Sequence, residues 1–157
     1  MKKPKVRIIA TGGTIGSVGH DRMDFVNYPA TNIRVPISQC LEQIPEIYDL
    51  ADITHEDLFS APSSSLGPPE WIQIAQNINK TFQEDPTIDG IVLTHGTGTL
   101  EETAYFLHLT IKSSKPVVIT GSMRPITALG TDSHLNLYDA VMVAASHHSA
   151  KRGVLIC

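Results

Sequence analysis

An α/β fold of three layers, a mostly parallel doubly wound sheet with helices on both faces, is what this 157-residue chain predicts. Short apolar runs without polar alternation recur at residues 6–10, 90–94, 117–120 and 153–157, as parallel strands buried on both faces require. Between most of them lie stretches whose apolar residues recur at helical spacing. Two of the runs open into turns dense in glycine and hydroxyl residues, at 11–17 and 95–99. Strands alternating with helices of this length imply βαβ units with right-handed crossovers, as in flavodoxin- or Rossmann-like sheets. In such sheets ligands bind just outside the carboxyl ends of the strands.

The first strand carries Val6, Ile8, Ile9 and Ala10 and empties into Thr11, Gly12, Gly13 and Thr14, where glycine permits positive φ and close approach to a ligand. Residues 20–31 are polar and irregular and read as a mobile loop over that turn. Ser38 is placed to cap a short helix through Leu41 and Ile44 to Ile47. Residues 53–59 read as an extended or edge segment, followed by a serine-rich loop at 61–69. Next comes a helix with proline in its first turn, its apolar face made by Trp71, Ile74, Ala75, Ile78 and Phe82 and its end marked by Asp85 and Pro86. After the strand at 90–94, Thr99 and Glu102 have capping-box spacing for a helix to about Lys112. Pro116 introduces the strand at 117–120, a polar turn fills 121–125, and a last helix covers about 134–149 before the final strand.

At this length one domain can bury roughly 70% of its unfolded surface, and 41% hydrophobic with 18% charged residues is ordinary globular composition. A net charge of -4 offers no basic field, which argues against nucleic acid as a partner. No run approaches the ~18 apolar residues of a membrane span, and the apolar run behind the amino-terminal lysines is too short for a signal peptide, so the expected location is cytoplasmic. Two cysteines, Cys40 and Cys157, make no disulfide framework, and Cys40 reads as a small core residue. The run at 153–157 has nothing after it to cover it. That predicts the first part of a longer protein, one domain over 1–157 without a linker.

Most serines and threonines in such loops cap helices, and most glycines turn corners. Thr14 and Thr97 are not needed as caps, and both face one crevice in this arrangement. A threonine hydroxyl becomes a nucleophile only beside a group that takes its proton. With no His-Asp couple near either, a tyrosine or lysine must supply that group. No dinucleotide fingerprint or phosphate-binding P-loop is present, and the third glycine position after Gly96 and Gly98 is Glu101. The seven histidines lack metal-ligand spacing, so no cofactor is expected. His95 reads as a core histidine with both nitrogens satisfied, and His147–His148 as a solvated pair near a helix end.

Three motifs then converge. Residues 10–15 (Ala10, Thr11, Gly12, Gly13, Thr14, Ile15), 94–105 (Thr94, His95, Gly96, Thr97 onward to Tyr105) and 121–125 (Gly121, Ser122, Met123, Arg124, Pro125) resemble, in order and spacing, the bacterial-type L-asparaginases of the asparaginase/glutaminase family. The resemblance covers essentially all 157 residues and implies the larger amino-terminal α/β domain of a two-domain enzyme, with the smaller carboxyl-terminal domain outside this chain. It implies that Thr14 is the nucleophile, Tyr28 the loop tyrosine that assists proton transfer, and Thr97 the second threonine of the site. Ser63, eight residues before Trp71, then matches the serine that binds the substrate carboxylate, and Ser64 its substrate-binding neighbour. Gly13 and Gly96 lend backbone at the same places. Family members are tetramers, which implies a homo-oligomer, dimer or tetramer, for the complete protein.

At two points the chain departs from the family pattern. The family's aspartate after the second threonine, which receives the α-ammonium of asparagine, is here Gly98, and its partner lysine lies beyond Cys157. Leaving one member of a buried charge pair alone costs ~3–5 kcal/mol, on the order of a hundred- to several-thousand-fold in rate at ~1.4 kcal/mol per tenfold. The expected function is an amidohydrolase releasing ammonia from a small carboxamide, with reduced or altered specificity for asparagine and with the 157-residue chain alone inactive. The alternative is a non-catalytic protein of the same fold that binds a small carboxylate or amide.

Overall fold

A computed structural model describes residues 3–157 and arranges five parallel strands in one sheet of order β2-β1-β3-β4-β5. The strands are β1 (Lys5–Gly12), β2 (Asp52–Ala61), β3 (Gly90–Thr94), β4 (Val117–Thr120) and β5 (Val154–Ile156). This is the doubly wound order whose direction of winding reverses between β1 and β3, the place where such sheets bind ligands. Three of the four apolar runs behave as their composition demands: every residue of β3 and β4 is buried, and Ile8 and Ile9 of β1 are fully enclosed. The run at 153–157, expected to be a buried strand, is a correction: β5 lies at the sheet edge, with Val154 and Leu155 half-buried and Ile156 exposed.

Period-two alternation divides each strand between two cores. One face packs Val6, Ile8, Val92 and Val118 against α1 (Ile37–Glu42), α2 (Ile47–Leu50) and α5 (Ser133–Ala145). The opposite face packs Ile9, Ile91, Leu93, Val117 and Ile119 against α3 (Pro68–Glu84) and α4 (Leu100–Thr110). Ile74, Ala75 and Ile78 of α3 are buried, with Phe82 packed beside them. Its first turn is closed by the Glu70 carboxylate, which accepts from the Gly67 N–H at 2.9 Å. Cys40 lies in the first core, its thiol pushed up to about 11 by burial and by the charge of Asp57. None of the described helices is long and apolar enough to cross a membrane.

Four further local expectations are corrected. Ser38 lies inside α1 and does not cap it: Pro36 holds the cap position, and the Ile37 N–H is taken by Asp57 Oδ1 of β2 at 3.0 Å. The helix expected to reach Ile47 is two short helices with Pro45 between them. Thr99 and Glu102 form no capping box, because a 3-10 turn (Thr97–Thr99) leads into α4 and the Thr99 hydroxyl is engaged elsewhere. The last helix ends at Ala145, where Ser146 accepts from the His148 N–H and starts a separate 3-10 turn holding both histidines.

Candidate functional site

Thr11, the first hydroxyl after the apolar run, still belongs to β1 and is fully buried; its Oγ1 donates to the Thr94 carbonyl at 2.8 Å, tying β1 to β3. The chain then leaves the sheet through Gly12 and Gly13, with φ of +102° and +81°. A Cβ on Gly12 would lie 2.4 Å from the Ala61 backbone. This contact and the positive φ both require glycine. Thr14 opens a one-turn 3-10 helix (Thr14–Gly16), and Ser17 Oγ closes it by donating to the Gly13 carbonyl at 3.0 Å.

Beyond this turn the chain forms a loop clasped at its base. Val18 N–H donates to Ile33 O at 3.0 Å and Val35 N–H to Gly16 O at 2.8 Å, across an antiparallel bridge between Ser17 and Arg34. Within the loop Thr31 Oγ1 lies 2.7 and 2.8 Å from the carbonyls of Val18 and Tyr28, which share its single O–H, and this holds the 3-10 turn Tyr28–Thr31 over the strand end. The Tyr28 hydroxyl thereby meets Thr14 Oγ1 at 3.0 Å, with either able to donate. The loop expected to cover the first turn does so, and it brings these two candidates together.

β3 delivers the second group. A Cβ built on Gly13 would lie 2.5 Å from Gly96 N and 2.7 Å from the His95 carbonyl carbon, so the turns after β1 and β3 touch backbone to backbone. His95 is fully buried below this contact. The Gly96 carbonyl can only accept, so His95 Nδ1–H donates to it at 2.8 Å and Nε2 accepts from Thr103 Oγ1 at 3.1 Å. Burial holds its pKa below the usual imidazole value, keeping the ring neutral. It is a structural histidine, as its sequence position suggested. Thr97 and Gly98 are exposed at the crevice, the Thr97 methyl facing Gly121.

The 3-10 turn Ser63–Ser65 after β2 completes the rim. Ser63 is 6% exposed. Its Oγ is 2.8 Å from the Cβ position of Gly96 and 3.2 Å from that of Gly98. Ser64 beside it is exposed. Thr14, Tyr28, Gly13, Gly96, Ser63 and Gly98 thus form one connected set, whereas Thr97 makes no hydrogen bond to Thr14 among the described residues. No charged side chain among the described residues hydrogen-bonds to any of these hydroxyls, and no three His, Cys, Asp or Glu side chains gather to hold a metal. The arrangement offers a paired threonine and tyrosine on one wall and a buried serine on the other, with neutral donors and acceptors throughout.

Two supporting groups were not legible beforehand. Thr99 Oγ1 donates to the Ser63 carbonyl at 3.0 Å, fastening the β2 loop to the β3 turn. Asp132 accepts from the Met123 and Arg124 N–H groups, both at 2.9 Å, shaping the turn whose Gly121 backs Thr97. The only signal for Asp132 is an acidic residue just ahead of α5, which local reading assigns to the helix it precedes.

Residues 5–157 match the family model described as "Asparaginase, N-terminal". The chain is 40% identical over 154 residues to a glutaminase-asparaginase of Acinetobacter glutaminasificans, covering 98% of this chain and 46% of that protein. It is 42% identical over 153 residues to a probable periplasmic L-asparaginase of Haemophilus influenzae, covering 98% and 42%. A solved structure, a probable cytoplasmic L-asparaginase from Campylobacter jejuni, superposes with TM-score 0.91 at 41% identity, covering 99% of this chain and 46% of that one. The chain spans less than half the length of these relatives.

Proposed function

This chain belongs to the asparaginase family, matching its amino-terminal domain, and from that premise we propose that the complete protein is an amidohydrolase that releases ammonia from a small carboxamide through Thr14. The observation that carries this reading is the 3.0 Å pairing of Thr14 Oγ1 with the Tyr28 hydroxyl, at the winding reversal of the sheet. In the proposed reaction Thr14 Oγ bonds to the carboxamide carbon while its proton passes through Tyr28 to the departing nitrogen. The C–N bond breaks and ammonia leaves. Water then cleaves the Thr14 ester, releasing the carboxylic acid and restoring the hydroxyl. No cofactor enters.

Ser63 and Ser64, with the backbone of Gly13 and Gly96, form the substrate wall in this reading, and Thr97 belongs to a second polar cluster completed by residues outside this chain. Gly98 leaves no carboxylate there to receive a substrate ammonium. The preferred amide therefore lacks a free α-amino group or carries a bulkier substituent on it, and asparagine is a reduced or altered substrate. The complete protein in this reading is a cytoplasmic homo-oligomer, dimer or tetramer, with a second, smaller domain; cell fractionation and light scattering test those parts.

Ammonia release from asparagine, glutamine, N-acetylasparagine and succinamate by the full-length protein, with and without Thr14→Ala, tests the function. Turnover of at least one amide is expected, falling by at least about a thousandfold in Thr14→Ala and by about a hundredfold or more in Tyr28→Phe. Turnover that survives Thr14→Ala removes the nucleophile assignment. Silence toward every amide, with carboxylate binding retained, leaves the non-catalytic binding protein.

A further inference from the structure

Behind the turn that carries Thr14, on the side of the sheet that bears α1, lies a cavity of about 240 Å³. Its wall includes Ile15, Ile37 and Phe59, which are apolar, and two charged side chains, Arg34 and Asp57. Thr14, Tyr28, Ser63 and Thr97 do not line it, so it is separate from the crevice described above.

The two charges are not used on each other. Among the described residues Arg34 makes no ion pair, and its Nε, shielded from solvent, has no hydrogen-bond partner. Asp57, exposed to solvent at the rim, commits Oδ1 to the Ile37 N–H and leaves Oδ2 free of protein partners among the described residues. A shielded N–H without an acceptor is costly, and such groups in folded proteins are nearly always satisfied. A cavity that offers a shielded cationic donor without an acceptor, a carboxylate at its solvent-facing rim and apolar walls is complementary to one kind of small molecule: a zwitterion with a hydrocarbon body.

We propose that this cavity is a second ligand site, for a small aliphatic α-amino acid, with the carboxylate on Arg34, the ammonium on Asp57 and the side chain against Ile15, Ile37 and Phe59. The site is coupled to Thr14 by construction. Ile15 and Gly16 belong to the 3-10 turn that begins at Thr14, and Arg34 and Val35 belong to the bridge that clasps the Tyr28 loop. An occupant spanning these segments fastens Tyr28 over Thr14. Binding stands on the cavity alone; its effect on turnover rests on the reading proposed above.

The test is calorimetry on the full-length protein with leucine as probe, beside 4-methylpentanoate, which lacks the ammonium, and 3-methylbutylamine, which lacks the carboxylate. Leucine is expected to bind with a Kd of about 1 mM or below. Each single-charge analogue should bind at least about tenfold more weakly, and so should leucine to Arg34→Gln and to Asp57→Asn. Asp57→Asn retains an oxygen for the Ile37 N–H, so a loss of binding there reports the charge and not an unfolded α1. Thr14→Ala should bind leucine like the wild type, and saturating leucine should raise amide turnover in the wild type but not in Arg34→Gln. Absence of leucine binding, equal binding of 4-methylpentanoate, indifference to both wall substitutions, or competition between leucine and the amide substrate would each overturn the assignment. If no amide is hydrolysed, the function reading fails while the binding arms still decide this one.

Discussion

Gly98 has ordinary backbone dihedrals, so its turn does not ask for glycine, and a side chain there meets little besides Ser63 Oγ, 3.2 Å from an added Cβ. A rotation of that serine hydroxyl makes the room. Gly98→Asp in the full-length protein is therefore expected to fold and to raise kcat/KM on asparagine by at least about tenfold, since a carboxylate there gives the substrate ammonium a partner in the proposed reading. Steady-state ammonia assays on purified variant and parent check it; an unchanged ratio of asparagine to acylated substrate would clear Gly98 of any part in specificity. His95, one turn deeper, sets a pH response of the fold. Its folded pKa is lowered by burial from about 6.5. Between the two values the unfolded chain binds a proton that the native state refuses, so stability is complete above about pH 6.5 and falls on acidification, by at most about 1.4 kcal/mol per pH unit from this group. Urea midpoints between about pH 7 and pH 5 should show that slope, and His95→Gln should flatten it.

At the scale of elements, α1 depends on a residue from another element. Its first N–H is satisfied by Asp57, which stands on β2. Asp57→Ala should cost about 1 kcal/mol, as loss of a helix cap does, whereas Asp57→Asn keeps the acceptor and most of the stability; denaturant titration of the two variants separates them. Ser38→Ala should leave stability nearly unchanged, because the hydroxyl sits inside the helix and not at its cap. The contrast also explains what could be read in one dimension. The strands and α3 announce themselves because apolar periodicity is local, and Trp71 to Phe82 carry theirs within one helix. The caps at Ile37 and the tether from Thr99 to Ser63 join residues 20 and 36 apart, so capping rules applied to Ser38 and Thr99 found a plausible local partner and missed the real one. Thr14 and Tyr28 were legible as a pair only through resemblance. Their meeting depends on the backbone clasp at Ser17 and Arg34, which no side-chain pattern encodes.

For the whole molecule, the arrangement places every candidate group on loops at the carboxyl ends of β1, β2 and β3. The isolated 157-residue chain is expected to release no ammonia from any amide in the panel; detectable turnover by the purified chain would refute that expectation. The sheet order has a further consequence, in time. Val6 of β1 lies between Ile53 of β2 and Gly90 of β3, so this interior strand leaves the ribosome before either neighbour exists. At roughly 5–20 residues per second, its apolar residues Val6, Ile8, Ile9 and Ala10 wait several seconds for the strand that covers the second edge. Only when β3 has emerged can Thr11 find the Thr94 carbonyl and Gly13 settle on Gly96. The turn that carries Thr14 is thus made early and takes its place late.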